Sequence, residues 1–308
     1  MIGVYCSRTK IGESWARALA REFGDDQVDL YPFVRPESIE FIACWKAPNR
    51  LFHTLAKLKV IQSLGAGVDH IFDGDNVVEQ AEIARIIDPQ LSVDMYEFAL
   101  VTILADMKNL TLYRDQQKDK LWKERRYSTI PGTVISILGL GVIGSTVATK
   151  LSSLGFQVQG WSRSKKTIES VQCYSGTGGL SEALSATDYL LNLLPLTNET
   201  RGFLNQSLFD KMKVGAYLIN LGRGPHLVDE DLITALDREQ LSGACLDVFH
   251  EEPLSKEHAF WDHPKVLITP HIASVTNIET ARQQVFENIR RMKSGTALLN
   301  VVDKVKGY

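Results

Sequence analysis

The chain has 308 residues, of which 44% are hydrophobic and 23% charged, and its formal net charge at pH 7 is −3. A chain longer than roughly 250–300 residues usually divides into domains, so we expect two domains of ordinary globular composition. The small negative charge argues against a protein that coats nucleic acid. No apolar run in the sequence reaches the roughly 18 residues of a membrane span, so we expect no membrane partner either.

The first residues, MIGVYCSRTK, lack a basic leader before an apolar run, so we expect a first strand here rather than a signal peptide. Four cysteines, Cys6, Cys44, Cys173 and Cys245, are scattered without metal-ligand spacing. This pattern is typical of reduced thiols in a cytoplasmic protein. The histidines also lack the spacing of metal ligands, and the sequence therefore predicts no metal site.

Short apolar runs alternate with helical patterns along almost the whole chain. A helix is predicted over residues 12–24, which end in glycine, and a long helical stretch runs from about Met95 to Trp122. This alternation predicts an α/β fold with two doubly wound parallel sheets, because parallel strands need crossover helices. The predicted strands are residues 2–5, 28–31, 41–44, 60–64, 83–87, 134–138, 157–161, 189–192, 217–220, 243–247 and 266–269.

The domain boundaries follow from the position of a glycine motif that begins at Gly139, late enough for a separate domain to precede it. A nucleotide-binding sheet that begins at residue 134 would end near residue 275. The remainder, with a predicted helix over residues 277–294, is too short to bury a core of its own and should pack on the first domain. We expect a discontinuous substrate domain of residues 1–97 and 280–308, a cofactor domain of residues 98–279, and a cleft between them.

The motif GLGVIG follows an apolar run and precedes a helical pattern, which is the arrangement of a Rossmann dinucleotide site. Gly139 permits a tight turn, Gly141 lets the backbone approach a pyrophosphate, and Gly144 lets the helix pack closely on the strand. The N–H groups at the helix start, at Val142 and Ile143, would face the phosphates together with the positive end of the helix dipole. A glycine-rich turn without a ligand is the alternative.

The end of the next strand indicates which dinucleotide is bound. An acidic residue usually stands there and accepts hydrogen bonds from the ribose hydroxyls, but this chain has Ser162 and Arg163, followed by Lys165 and Lys166. A hydroxyl and cations suit a 2′-phosphate. The sequence therefore predicts NADP(H) rather than NAD(H), with an ordinary solvated basic loop as the alternative.

Three further stretches place polar groups after strands: NLGRGPHLVDE, DVFHEEPL and ITPHIAS. They contain Arg223 between two glycines, the acidic pair Glu251 and Glu252 before a proline, and His271 after a proline. Ligands of open α/β sheets bind at the carboxyl ends of the strands, so these residues are candidates for one active site.

In this order and spacing, GLGVIG, NLGRG, DVFHEEPL and ITPHIA resemble the D-isomer-specific 2-hydroxyacid dehydrogenases over nearly the whole chain. Within that family, the sequence is most similar to the glyoxylate/hydroxypyruvate reductase A subgroup. The features of that subgroup are Trp45, the segment MYEFAL at residues 95–100, the pair Leu121–Trp122 and the Ser-Arg cofactor loop. The resemblance implies a flavodoxin-like substrate domain and a Rossmann cofactor domain.

The resemblance also implies that Arg223, Glu252 and His271 are the catalytic residues, with Glu252 preferred to Glu251 because the family glutamate directly precedes a proline. The chemistry agrees, since reduction of a 2-keto acid needs a hydride at carbon and a proton at oxygen. An imidazolium can donate that proton, a carboxylate beside it favours its protonated form, and a guanidinium can hold the substrate carboxylate. Asp247 is expected as a positioning group near the nicotinamide.

The remaining site predictions also come from the resemblance. The segment that begins with Leu194 and Pro195 is similar to the family's cofactor-side loop, and LGAGVDHI at residues 64–71 is similar to its substrate-carboxylate loop. Backbone N–H groups of Ala66 and Gly67 would then hold a small 2-keto or 2-hydroxy acid, with Trp45 closing the pocket. Family members are usually homodimers joined through the cofactor domains, so we expect a homodimer here.

Three functions remain open at this point. The leading one is an NADPH-dependent reductase of glyoxylate or hydroxypyruvate. The same fold also serves transcriptional corepressors, so a dinucleotide-sensing binding protein is a second hypothesis. A dehydrogenase acting on a different acid, such as formate, is a third, although Glu252 stands where the compared formate enzymes have glutamine.

Overall fold

The computed structural model describes residues 1–48, 50–72 and 79–307. The chain divides into two compact units, the first formed by residues 1–90 and 275–308 and the second by residues 91–274. The first unit is therefore discontinuous in sequence. The predicted domain boundaries, after residues 97 and 279, fall a few residues C-terminal of these divisions.

The helices and strands alternate along both units. In chain order they are β1 (Ile2–Cys6), α1 (Thr9–Phe23), β2 (Val28–Leu30), β3 (Phe41–Trp45), β4 (Val60–Ser63), α2 (Asp69–Phe72), β5 (Glu82–Ala84), α3 (Pro89–Met107), α4 (Leu110–Lys118), β6 (Val134–Leu138), α5 (Val142–Ser153), β7 (Gln157–Ser162), β8 (Gln172–Ser175), α6 (Gly176–Ser185), β9 (Tyr189–Asn192), α7 (Gln206–Phe209), β10 (Ala216–Asn220), α8 (Asp229–Asp237), β11 (Leu241–Leu246), β12 (Val266–Ile268) and α9 (Ile278–Ser294).

The first unit is built on a five-stranded sheet in the order β2-β1-β3-β4-β5, and its neighbouring strands run parallel. The chain adds β2 on one side of β1 and then β3, β4 and β5 on the other side. The order therefore reverses between β1 and β3, where Cys6 is the register partner of Trp45. Crevices at such reversals are the usual ligand sites of open parallel sheets, which places Trp45 at a favourable position.

The second unit is built on a seven-stranded parallel sheet in the order β12-β11-β10-β9-β6-β7-β8. The chain first adds β7 and β8 on one side of β6, then returns to add β9 to β12 on the other side. The order therefore reverses between β6 and β9, directly beside the glycine motif. The sequence did not predict β8, but the two parallel-sheet α/β domains that it predicted are confirmed.

Both faces of the second sheet are covered, as expected where parallel strands read as continuous apolar runs. Consecutive residues of one strand point to opposite faces. Ile219 of β10 accordingly packs in a core with α3 and α5, while its neighbour Leu218 packs in a second core with residues of α6, α7 and α8. The first unit has a core of its own, which includes Ile42, Ile61 and Ile83.

The long helix that the sequence predicts from Met95 to Trp122 is wrong as a single element. It divides into α3 and α4, and Asn109 between them adopts a left-handed conformation with φ of 55°. Asparagine tolerates this conformation better than most residues, which explains why the helical pattern is interrupted there. Residues 119–130 follow α4 without regular secondary structure.

Within the described ranges, no helix combines the length and apolar character that crossing a bilayer would require. The same part of the chain brings no three His, Cys, Asp or Glu side chains together in a way that could hold a metal ion. The four cysteines are present as free thiols.

Candidate active site

The glycine turn after β6 is packed too tightly for any side chain at Gly144. A Cβ atom there would lie 1.8 Å from the carbonyl oxygen of Gly139. Gly141, in contrast, is exposed and has no atom within 4 Å of an ideal Cβ. Helix α5 begins at Val142, so the N–H groups of Val142 and Ile143 belong to its first turn and lack intrahelical acceptors. This open cradle of N–H groups fits a dinucleotide pyrophosphate.

The segment after β9 lies beside this turn because β6 and β9 are neighbours at the reversal of strand order. The N–H of Leu193 donates to the carbonyl of Leu138 at 2.8 Å. Leu194 is buried, whereas Pro195 is exposed and its carbonyl accepts a hydrogen bond from the Thr200 hydroxyl at 2.7 Å. The structure thus brings the two predicted cofactor segments together.

The residues that are predicted to bind the 2′-phosphate of NADP(H) lie at the end of β7. Ser162 is buried, and its hydroxyl donates to the carbonyl of Ser164 at 2.8 Å. Arg163 and Lys165 are exposed, and Arg163 Nη1 lies 3.0 Å from Glu199 Oε2. An exposed ion pair of this kind is worth about 0–1 kcal/mol, so a phosphate can replace Glu199 at little cost.

The turn that carries Arg223 follows β10 and packs against the loop that follows β11. Arg223 is half-buried, and its Nη1 donates to the carbonyl of Gly222 at 2.7 Å. A Cβ atom at Gly224 would lie 1.9 Å from the carbonyl carbon of Phe249, so only glycine permits this approach. The glycine after the arginine therefore sets the distance between the two loops.

His271 and Glu252 form a direct pair. Nδ1 of His271 lies 2.8 Å from Oε2 of Glu252, and the two side chains are 21% and 17% exposed. The other carboxylate oxygen of Glu252 accepts the N–H of Phe249 at 3.2 Å, while Glu251 is exposed. Because the carboxylate occupies Nδ1, Nε2 is the ring nitrogen available for proton exchange with a ligand.

Asp247 holds the segment that carries His271. Its buried carboxylate accepts hydrogen bonds from the Thr269 hydroxyl at 2.6 Å and from the N–H groups of Ile272 and Ala273, both at 2.9 Å. His271 itself has φ of 55°, a left-handed conformation that is costly for residues other than glycine. The carboxylate compensates this cost on both sides of the histidine. The contact of Asp247 with the nicotinamide stays a prediction.

In the first unit, the indole ring of Trp45 and the loop after β4 lie together. A Cβ atom at Gly65 would come within 2.5 Å of the Trp45 ring, so glycine is needed for this contact. The His70 ring packs edge-on against the Trp45 ring, with 4.7 Å between centroids. Within residues 1–48, 50–72 and 79–307, the N–H groups of Ala66 and Gly67 donate no hydrogen bond. That they bind a substrate carboxylate stays a prediction.

Arg85 is a basic residue beside this loop that the sequence reasoning missed. Its Nη1 lies 3.5 Å from the carbonyl of Ala66, and burial lowers the pKa of its guanidinium. Arg85 thus places a half-buried cation beside the loop that is predicted to hold the substrate carboxylate. Arg85 lies inside the strand predicted for residues 83–87, and that short apolar segment gave no reason to single it out.

Comparison with known proteins decides the family. The family model for the NAD-binding domain of D-isomer specific 2-hydroxyacid dehydrogenases matches residues 100–273. The chain belongs to this family. The resemblance predicted from the four motifs is therefore confirmed, and the match covers the unit that contains Arg223, Glu252 and His271.

Two curated members of the family are similar over most of the chain. Glyoxylate/hydroxypyruvate reductase A of Yersinia enterocolitica is 40% identical over 274 residues, which is 87% of this chain and 88% of that protein. Glyoxylate/hydroxypyruvate reductase A of Serratia proteamaculans is 38% identical over 301 residues, 96% of each chain. These relatives confirm the predicted subgroup.

Solved structures of the dehydrogenase family agree. A family member from Klebsiella pneumoniae has a TM-score of 0.93 and 38% identity, covering 99% of this chain and 97% of its own. An NADPH-dependent glyoxylate/hydroxypyruvate reductase from Sinorhizobium meliloti, solved with NADP and sulfate, has a TM-score of 0.91 and 34% identity. It covers 100% of this chain and 99% of its own.

The close packing of the glycine turn predicts how two substitutions change the free energy of unfolding. Gly144→Ala should lower the free energy of unfolding by about 1–3 kcal/mol, because the added methyl group overlaps the Gly139 carbonyl oxygen. Gly141→Ala is the matched control and should change it by less than about 0.5 kcal/mol, since space is open and φ is −76°. Urea unfolding followed by circular dichroism measures both variants. Equal urea midpoints for Gly144→Ala and Gly141→Ala would contradict the close packing at Gly144.

Proposed function

We propose that this protein reduces a small 2-keto acid, glyoxylate or hydroxypyruvate, to the 2-hydroxy acid with NADPH. The observation that carries the proposal is the half-buried pair of His271 and Glu252, held close to the Arg223 turn. The names of the curated relatives support the substrate class, and the bound NADP of the Sinorhizobium meliloti enzyme supports the cofactor. The second unit would then be the cofactor domain and the first unit the substrate domain.

In the proposed reaction, each member of the pair has a separate task. Bound NADPH supplies the hydride to the carbonyl carbon. His271 donates a proton from Nε2 to the carbonyl oxygen, while Glu252 holds the ring through Nδ1 and stabilises the imidazolium. Arg223 binds the substrate carboxylate and stabilises negative charge that develops on the oxygen.

The substrate contacts proposed in the first unit suit a small anion. Backbone N–H groups of Ala66 and Gly67 would bind the carboxylate, and Arg85 would add positive charge. Trp45 lies against the same loop, so its ring would limit the size of the acid that is accepted. A small hydrophilic acid such as glyoxylate fits this description.

The acid–base assignment predicts distinct effects of two substitutions. His271→Ala should nearly abolish reduction but leave NADPH binding largely intact, because the phosphates bind at the glycine turn and Arg163. Glu252→Gln should be milder. As the pH rises, the activity of this variant should begin to fall at a lower pH than that of the wild type, because the imidazolium loses its carboxylate partner. The pH profile of kcat/KM for glyoxylate measures this. Glu251→Gln, at an exposed position, is the control, and coincident profiles for Glu252→Gln and wild type would refute the role of Glu252.

The cofactor preference is proposed to come from Ser162, Arg163 and Lys165 at the end of β7. Two cations and a hydroxyl there favour a 2′-phosphate, which a carboxylate in this place would repel. Glu199 pairs with Arg163 and so holds the guanidinium at the end of β7. The 2′-phosphate would replace the Glu199 carboxylate in this contact.

This proposal predicts that Arg163→Ala loses about 10- to 100-fold of the preference for NADPH over NADH, because one charge-assisted hydrogen bond is removed. The measurement is kcat/KM with each cofactor at fixed glyoxylate. Arg238→Ala, which removes an equal charge from an exposed position at the end of α8, should leave the ratio unchanged. Equal efficiency of the wild type with NADH and NADPH would contradict the assignment. Absence of any turnover would favour a dinucleotide-sensing binding protein instead.

We also propose that the protein is a cytoplasmic homodimer joined through the second unit. Its free cysteines suit a reducing compartment. Exposed apolar side chains recur along residues 101–127, and a subunit interface there would cover them. They include Val101, Leu110, Leu121, Trp122 and Tyr127, with Trp122 97% exposed.

The homodimer proposal predicts that replacing both Leu121 and Trp122 by serine shifts the protein toward the monomer. Burial of the two side chains should contribute about 1.5–3 kcal/mol each to association. Light scattering after size-exclusion chromatography gives the mass of each variant. Val305→Ser, which removes an equally exposed apolar side chain from the first unit, should leave the mass unchanged. A monomeric wild type would overturn the proposal.

A further inference from the structure

His226 is a fully buried imidazole next to the proposed catalytic arginine, and the proposed reaction gives it no task. It is 0% exposed and lies on the turn that follows β10. Its ring contacts both the Arg223 turn and the segment after β9 that contains Pro195. Nδ1 accepts the N–H of Arg223 at 3.1 Å, and Nε2 lies 3.2 Å from the carbonyl oxygen of Pro195.

The partners determine the protonation state of the ring. Nδ1 faces two donors, the backbone N–H of Arg223 and the side-chain amide of Asn192 at 2.9 Å, so it carries a lone pair. A carbonyl oxygen can only accept, so Nε2 carries the hydrogen and donates to Pro195. His226 is therefore a neutral imidazole with one defined tautomer. With both nitrogens engaged, it is not available as an acid or base for a ligand.

Two buried asparagines extend the connection. Asn192 donates from Nδ2 to Asn220 Oδ1 at 2.9 Å, and Asn192 Oδ1 accepts the N–H of Leu194 at 3.3 Å. Asn220 in turn donates to the carbonyl of Arg223 at 3.3 Å. Both asparagines are 0% exposed. Hydrogen bonds in such a buried network reinforce one another, and loss of one member leaves its partners unsatisfied.

We infer that His226 is a positioning residue that couples the cofactor-side segment, Leu194 and Pro195, to the backbone of Arg223. A displacement of Pro195 on cofactor binding would be transmitted through the rigid ring to the Arg223 N–H. The cofactor would thus bring the arginine into position for the substrate carboxylate. This inference rests on the proposed function, because it assigns Leu194 and Pro195 to the cofactor and Arg223 to the substrate.

The test separates coupling from folding with three substitutions. His226→Leu removes both ring contacts. His226→Asn keeps a polar atom close to the position of Nδ1 but loses the donor to Pro195, so it should break coupling while it preserves the Arg223 turn. His263→Asn is the matched control, because His263 also accepts a backbone N–H, that of Lys265 at 3.2 Å, but at a distance from the turn in sequence and sheet order.

The principal measurement is the affinity for oxalate, a non-reacting carboxylate, with and without saturating NADP⁺. Wild type and His263→Asn should bind oxalate about 5- to 150-fold more tightly with NADP⁺, the usual range of coupling between two sites. In His226→Leu and His226→Asn the ratio should fall toward one, while NADP⁺ affinity changes less than about 3-fold. In turnover, kcat should fall with a smaller change in KM for His226→Asn, whose polar atom still holds the Arg223 turn.

The outcomes are distinguishable. A wild-type ratio near one, or an unchanged ratio in His226→Asn, would overturn the inference. A lower melting temperature with an unchanged ratio would assign His226 a structural role only, which also overturns it. If the wild type couples NADP⁺ to oxalate but does not reduce glyoxylate, the proposed substrate is wrong and the inference stands.

Discussion

The site in the second unit depends on the carboxylate of Asp247. This side chain is almost completely buried and accepts three hydrogen bonds from residues on either side of His271. A buried carboxylate is stable only when its oxygens are satisfied, so the segment after β12 is held to the end of β11. The left-handed backbone of His271 follows from this restraint, and so does the short distance between its ring and Glu252.

The order of strands explains why the remaining residues meet. β10, β11 and β12 are neighbours in the sheet, and their carboxyl ends are followed by Arg223, Asp247 and His271 respectively. Because the strands are parallel, their carboxyl ends lie along one edge. The reversal between β6 and β9 brings the glycine turn to the same edge. One sheet therefore positions the glycine turn, Arg223 and His271, and the loop between β11 and β12 supplies Glu252.

Much of this arrangement could be predicted from the sequence. Regular alternation of apolar runs and helical patterns located most strands within a residue or two, since buried parallel strands leave a strong signal. The motifs around Arg223, Glu252 and His271 indicated the family, which the comparisons confirmed. Strand β8 was missed because its residues are only partly buried and lack the apolar run of a central strand.

By itself, the sequence determined the α/β class, the family and the identity of the residues with suitable chemistry, because these depend on local patterns and short motifs. Only the tertiary structure decided how those residues are paired. Glu252 and His271 are separated by a loop and a strand, and their contact depends on the packing of that loop. The same holds for His226, which looked like any other histidine in the sequence. The role inferred for it depends on which donors and acceptors surround its ring, and packing against segments distant in sequence decides that.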